Sequence, residues 1–149
     1  SSICTGRGEI VKPISTPRSR WVVLILPGIH MATPAVYRRF DEMKLGNADL
    51  EHAPDWQAWV ALEARELLPR LVNDLEAPAF SLSPALAELH ARASAAAGRI
   101  VRMSGSGSSL FTLCDEADEA ERIAAQLRLT LEVGARAVEL CPGESAIPR

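Results

Sequence analysis

Glycine and serine alternate through Met103-Ser104-Gly105-Ser106-Gly107-Ser108-Ser109-Leu110-Phe111, and that spacing suits one chemistry above others, the holding of an anion. Glycine lets the backbone take positive φ, and its missing Cβ lets N–H groups approach a bound phosphate. The hydroxyls of Ser104, Ser106, Ser108 and Ser109 add donors suited to the same task. The stretch is not the dinucleotide fingerprint, because a third glycine is missing and the run that follows reads as strand rather than helix. Nor is it the lysine-bearing phosphate loop, since no Gly-Lys-Ser or Gly-Lys-Thr follows. On composition alone the same residues also read as a glycine-rich hairpin turn with polar filler. Ile100, Val101 and Met103 lead in, and Leu110, Phe111 and Leu113 lead out, so the loop joins two strands.

Other chemistries find little support. Cys4, Cys114 and Cys141 are far apart with no Cys-x-x-Cys pair, which indicates neither a zinc site nor a disulfide framework and fits a reducing cytosol. His30, His52 and His90 are scattered and read as solvated or core-edge imidazoles rather than metal ligands. With 16 basic and 19 acidic residues the net charge is −3, which argues against a protein whose main business is nucleic acid. The longest apolar run, Trp21 to Leu26, falls well short of a membrane span. A soluble, cytoplasmic protein is expected. The first residues lack the features of a signal peptide, and the absence of an initial Met fits either processing or a segment of a longer protein.

The elements that must position the loop can be read from pattern. At 149 residues and 48% hydrophobic content, one domain with one core is expected. Gly8 to Ile14 reads as a short strand ending at Pro13. Arg20 to Leu26 reads as a central strand covered on both faces and closed by Pro27-Gly28. Thr33-Pro34 opens a short helix, with Thr33 as cap and Ala35 to Phe40 as its body. Asp41 to Pro54 reads as surface loop. From Asp55, Trp56, Trp59, Val60, Leu67, Leu68 and Leu71 share a helical face interrupted by Pro69, with the tryptophans in the core.

Asn73-Asp74-Leu75-Glu76 reads as a variant capping box. Ser83-Pro84 opens a helix carrying Leu86, Leu89, His90, Ala93 and Ala97 and closed by Gly98. Arg99 to Met103 and Ser109 to Cys114 are the strands flanking the loop. Asp115 caps a helix with Ala120, Ile123, Ala124, Leu127 and Leu131 on one side, ended by Gly134. Ala135 to Cys141 is a last strand. The tally predicts an α+β fold, an antiparallel or mixed sheet of about four to five strands with helices packed on it, its end compatible with a ferredoxin-like arrangement.

Five stretches together, in order, resemble the carboxy-terminal half of the GHMP kinase superfamily, and within it the 4-diphosphocytidyl-2-C-methyl-D-erythritol kinases of the non-mevalonate isoprenoid pathway. They are Thr5-Gly6-Arg7-Gly8-Glu9, the strand ending in Pro27-Gly28, Thr33-Pro34-Ala35-Val36-Tyr37, Asn73-Asp74-Leu75-Glu76 and Met103-Ser104-Gly105-Ser106-Gly107. The resemblance implies a glycine-rich loop near the phosphates and the reacting end of the substrate, formed here by Gly105, Ser106, Gly107 and Ser108. It also implies a cytidine pocket, with Tyr37 stacking on the base and Thr33 as polar contact; a helix-face tyrosine that merely packs is the plainer reading of Tyr37.

The phosphate loop, catalytic aspartate and lysine that such kinases carry in their amino-terminal half have no counterpart in these residues. The whole chain, 1–149, is therefore expected to be a carboxy-terminal fragment holding no catalytic residue and no metal ligand, inactive alone. ATP and Mg²⁺ would serve the parent enzyme, and neither is expected to bind the fragment tightly. Its partners would be the small-molecule substrate and the absent amino-terminal half, with no nucleic acid or membrane, and the uncovered interdomain face would self-associate. Two alternatives stand beside this: a homoserine, mevalonate or galactose kinase relative, and a stand-alone ferredoxin-like ligand-binding module.

Overall fold

The computed structural model describes residues 2–5, 7–13, 15, 18–45 and 55–140. Two short strands, β1 (Ser2–Thr5) and β2 (Ile10–Pro13), pair antiparallel as a separate exposed ribbon. The main sheet starts with β3 (Arg20–Leu26). Helices α1 (Thr33–Met43), α2 (Trp56–Trp59) and α3 (Ala64–Leu67) follow, then a 3₁₀ turn (Leu68–Arg70), α4 (Glu76–Leu82) and α5 (Pro84–Ala97). The chain finishes with β4 (Arg102–Met103), β5 (Leu110–Cys114), α6 (Ala117–Leu131) and β6 (Gly134–Leu140). Strand order is β4-β5-β3-β6 with every neighbour antiparallel. From β3 onward this is the split β-α-β-β-α-β pattern of ferredoxin-like folds, as expected.

One face of the sheet carries the main core. Val23 and Ile25 of β3, Leu110 of β5 and Ala135 of β6 point to the same side as buried Met103. Against them lies α6, whose Ala120, Ile123, Ala124 and Leu127 recur at one helical face. Helix α5 adds Leu86 and Ala93; the Ser83 hydroxyl caps it by accepting the Leu86 amide, and Gly98 at φ +62° turns the chain out. Burying each large aliphatic side chain here contributes about 1.5–3 kcal/mol. The opposite face is only partly covered, contrary to expectation: Ala64 and Leu68 pack on Val22, Phe111 and Leu113, while Leu26, Val138 and Leu140 stay exposed.

Several expectations from local pattern give way to tertiary contacts. The lead-in strand shrinks from Arg99–Met103 to Arg102–Met103, because the Thr112 hydroxyl donates to the Ile100 carbonyl at 2.7 Å and the buried Arg99 turns toward Leu113, Cys114 and Glu119. The helix expected from Asp55 is two single turns, since Glu63 and Glu66 form a new capping box and the Asp115 carboxylate takes the Ala64 amide at 2.9 Å. Asp115 therefore does not cap α6, whose N-cap is Glu116. The helix ends at Glu132, φ +54°, and Gly134 opens β6 instead.

Trp56 and Trp59 meet edge to face, centroids 5.1 Å apart, at half-buried positions outside both core clusters. Thr33 is the first residue of α1 rather than its cap, and α1 runs on to Met43, through residues expected to be loop. Strand β1 was not foreseen. Gly6, Ile14, His52, Cys141 and the remainder of the expected 41–54 loop lie outside the described residues, as does the tail. Among the described residues no helix is long and apolar enough to cross a membrane.

Candidate functional site

Register brings the site together. Ile25 pairs with Leu110, so the segment leaving β3 toward α1 and the loop joining β4 to β5 emerge at the same end of the sheet. The Thr33 and Ser106 hydroxyls share a hydrogen bond at 2.8 Å across that end. The Ser108 hydroxyl donates to the Ile29 carbonyl, a second tie between the same two segments. Tyr37 lies one helical turn beyond Thr33 and is 54% exposed, while its neighbour Val36 is fully buried and seats the helix. Thr33 thus touches the glycine loop, and Tyr37 follows on the same helix. The hydroxyl of Ser108, expected to serve an anion, is engaged inward on Ile29.

Gly105 and Gly107 both hold positive φ, +56° and +89°. Around Gly105 there is open space, whereas a Cβ on Gly107 would come within 2.9 Å of the Met103 sulfur. The loop closes on itself through the Ser104 amide to the Ser109 carbonyl, 2.9 Å, and the Gly107 amide to the Ser104 carbonyl, 3.1 Å. The amides of Gly105, Ser106 and Ser108 have no acceptor among the described residues, which leaves them able to meet an anion.

Asn73 and Glu76, read from sequence as a cap, instead tie the loop to the start of α4. The Asn73 side-chain amide donates to the carbonyls of Met103 (2.9 Å) and Gly105 (2.8 Å), and its oxygen accepts the Leu75 amide at 3.1 Å. The Glu76 carboxylate accepts the Met103 amide at 2.7 Å and lies 3.4 Å from Arg102. The one hint in the sequence was the choice of Asn, since a cap needs only an acceptor and Asn also brings two donors. Beside these ties a cavity of about 310 Å³ opens, with Val72, Met103 and Phe111 as apolar walls and Asn73 and Ser104 as polar ones.

His90 donates from Nε2 to the Val101 carbonyl at 2.9 Å and packs on Phe80, a structural role as expected. Cys114 is buried beside Arg99; burial pushes its thiol up, with the guanidinium pulling the other way. Among the described residues no three His, Cys, Asp or Glu converge on a point where a metal could sit. The neighbourhood of the loop can therefore hold and orient an anionic or polar ligand.

Comparison with known proteins follows the same lines. The family described as GHMP kinases C terminal matches residues 52–133. A Cereibacter sphaeroides protein named 4-diphosphocytidyl-2-C-methyl-D-erythritol kinase is 39% identical over 126 residues, covering 83% of this chain and 44% of its own length. The protein of the same name from Thermus thermophilus is 41% identical over 125 residues, 83% of this chain and 42% of its own. A crystal structure of 4-(cytidine 5'-diphospho)-2C-methyl-D-erythritol kinase superposes with TM-score 0.65 at 35% identity, over 93% of this chain and 48% of that one. Homoserine kinase from Cytophaga hutchinsonii shares the fold, TM-score 0.53 at 16% identity, over 87% of this chain and 44% of that one. The chain spans less than half the length of the curated relatives it matches.

Proposed function

The chain belongs to the GHMP kinase C-terminal family, and from that premise we propose that it is the substrate-side half of an ATP-dependent kinase acting on the 2-hydroxyl of 4-diphosphocytidyl-2-C-methyl-D-erythritol in isoprenoid precursor synthesis. In this reading residues 1–149 are one domain of a longer enzyme. The amides of Gly105, Ser106 and Ser108 receive phosphate oxygens, and Gly107 allows the close approach. The exposed Tyr37 ring stacks on cytosine and Thr33 supplies a polar contact. The observation that carries the reading is the 2.8 Å bond between Thr33 and Ser106, which joins the glycine loop to the helix bearing Tyr37.

Phosphoryl transfer needs ATP with Mg²⁺ positioned, developing charge neutralised, and the attacking hydroxyl oriented. The described residues offer only part of this. Among the described residues no three His, Cys, Asp or Glu side chains converge, and in this reading the magnesium ligands belong to the amino-terminal half. Here the chain orients the substrate and holds the loop. Without the other half, exposed Leu26, Val138 and Leu140 on one side of the sheet favour self-association.

The test is ATP-dependent phosphorylation of the cytidyl substrate by the chain alone and by the chain joined behind an amino-terminal kinase half. Turnover is expected only from the joined enzyme, with Tyr37→Ala raising KM about tenfold or more and changing kcat little. Magnesium-dependent turnover by the chain alone would refute the reading.

A further inference from the structure

We infer that Asn73 is a positioning residue for phosphoryl transfer, its side-chain amide setting the path of the glycine loop by holding the carbonyls that flank Ser104. The inference rests on the kinase reading above and assigns Asn73 a role through the loop it holds. Both amide hydrogens have a target, the Met103 carbonyl at 2.9 Å and the Gly105 carbonyl at 2.8 Å, and the amide oxygen accepts from Leu75 at 3.1 Å. Each polar atom of the side chain is therefore used.

The loop depends on that hold. Gly105 sits at φ +56° with open space where a Cβ would be, so the outer limb is held by hydrogen bonds, those of Asn73 to the Gly105 carbonyl and of Ser106 to Thr33. The Gly105 carbonyl accepts from Asn73 and from no other group among the described residues. On the inner limb, the buried Met103 sulfur would lie 2.9 Å from a Cβ at Gly107, so moving Met103 moves the floor under Gly107. Glu76 holds the Met103 amide at 2.7 Å from the same side. One short segment, 73–76, thereby holds both limbs of the loop whose amides are to meet the phosphate, beside the ties of Ser106 to Thr33 and Ser108 to Ile29.

What matters is the pair of donors rather than the volume. Aspartate has the same shape but would turn a carboxylate oxygen toward two carbonyl oxygens, whereas alanine leaves those carbonyls to water. A space-filling role predicts that Asn73→Ala is the worse substitution. A donor role predicts that Asn73→Asp is at least as damaging as Asn73→Ala.

Both variants are read in two ways. On the chain as it stands, amide hydrogen exchange at Met103, Ser104 and Gly107 should speed up about tenfold, while Val23 and Ile25 in β3 stay unchanged and report that the fold is intact. In the joined enzyme, kcat should fall about tenfold to a hundredfold, with KM for the cytidyl substrate within about twofold. Unchanged exchange at the loop, an Asp variant milder than the Ala variant, or a change confined to KM would each overturn the inference. Failure of the kinase reading looks different: the unsubstituted joined enzyme transfers no phosphate, while the exchange result on the chain alone is unaffected.

Discussion

Gly105 and Gly107 are two residues apart and face different constraints. Gly105 needs only its left-handed conformation, so Gly105→Ala should destabilise by about 1 kcal/mol, and Gly105→Asn by less, because Asn tolerates that region. Gly107 combines φ +89° with a contact on buried Met103, and Gly107→Ala should cost about 2–3 kcal/mol, strain and overpacking together. Urea denaturation of the variants gives the ordering directly; equal losses would contradict the difference in surroundings. Cys114 supplies a pH signature. Burial raises its thiol, so the folded state favours the neutral form. The stability this confers is intact below the unfolded thiol's value, about pH 8.5, and is lost as pH climbs through the higher folded value. Unfolding midpoints across the alkaline range should fall less steeply in Cys114→Ala than in the parent chain. At this scale the glycines announced themselves, because alternation with serine is a local signal. The tie from Asn73 did not, because its partners are 30 and 32 residues away and its spacing to Glu76 matches that of a cap.

Elements with a strong period could be read directly: β3 and α5 fall where apolar pattern and end signals put them, and α6 where its apolar stripe does, though neither of its expected end residues is its cap. What escaped were segments whose backbone is satisfied from a distance. Asp115 precedes a helix and has a capping side chain, yet its carboxylate takes the Ala64 amide at 2.9 Å and lies 3.7 Å from Arg18. Arg20, nearly buried, donates to the carbonyls of Val60 and Leu62 and pins the same region. Burial draws this guanidinium below its usual value, partly offset by Asp115. The short helices α2 and α3 are thus held by β3 and the β5–α6 connection rather than by their own propensity, which single turns lack. Asp115→Ala should cost about 1–2 kcal/mol and speed exchange of the Ala64 amide. An α6 that frays at its start while Ala64 stays protected would mean that Asp115 is a helix cap after all.

For the whole molecule, the antiparallel order β4-β5-β3-β6 places the β3–α1 connection and the β4–β5 loop at one end, and two hydroxyl bonds join them there. That end carries the Gly105, Ser106 and Ser108 amides without acceptors among the described residues and an exposed aromatic ring, as the proposed half of a cleft requires. The ferredoxin-like order was legible because a late β-β-α-β follows an early central strand. The exposure of Leu26, Val138 and Leu140 was not legible in the unbroken apolar run of β3, since a strand's pattern does not reveal which molecule covers its second face. Light scattering of the chain alone should show mass rising with concentration, and a strict monomer would contradict a role for that face as an interface. The most direct measurement is an amide-resolved titration of the joined enzyme with cytidine diphosphate. A shared cleft predicts that Thr33, Tyr37 and residues 105–108 shift together with one affinity; saturation by the nucleotide with the glycine loop unmoved would contradict it.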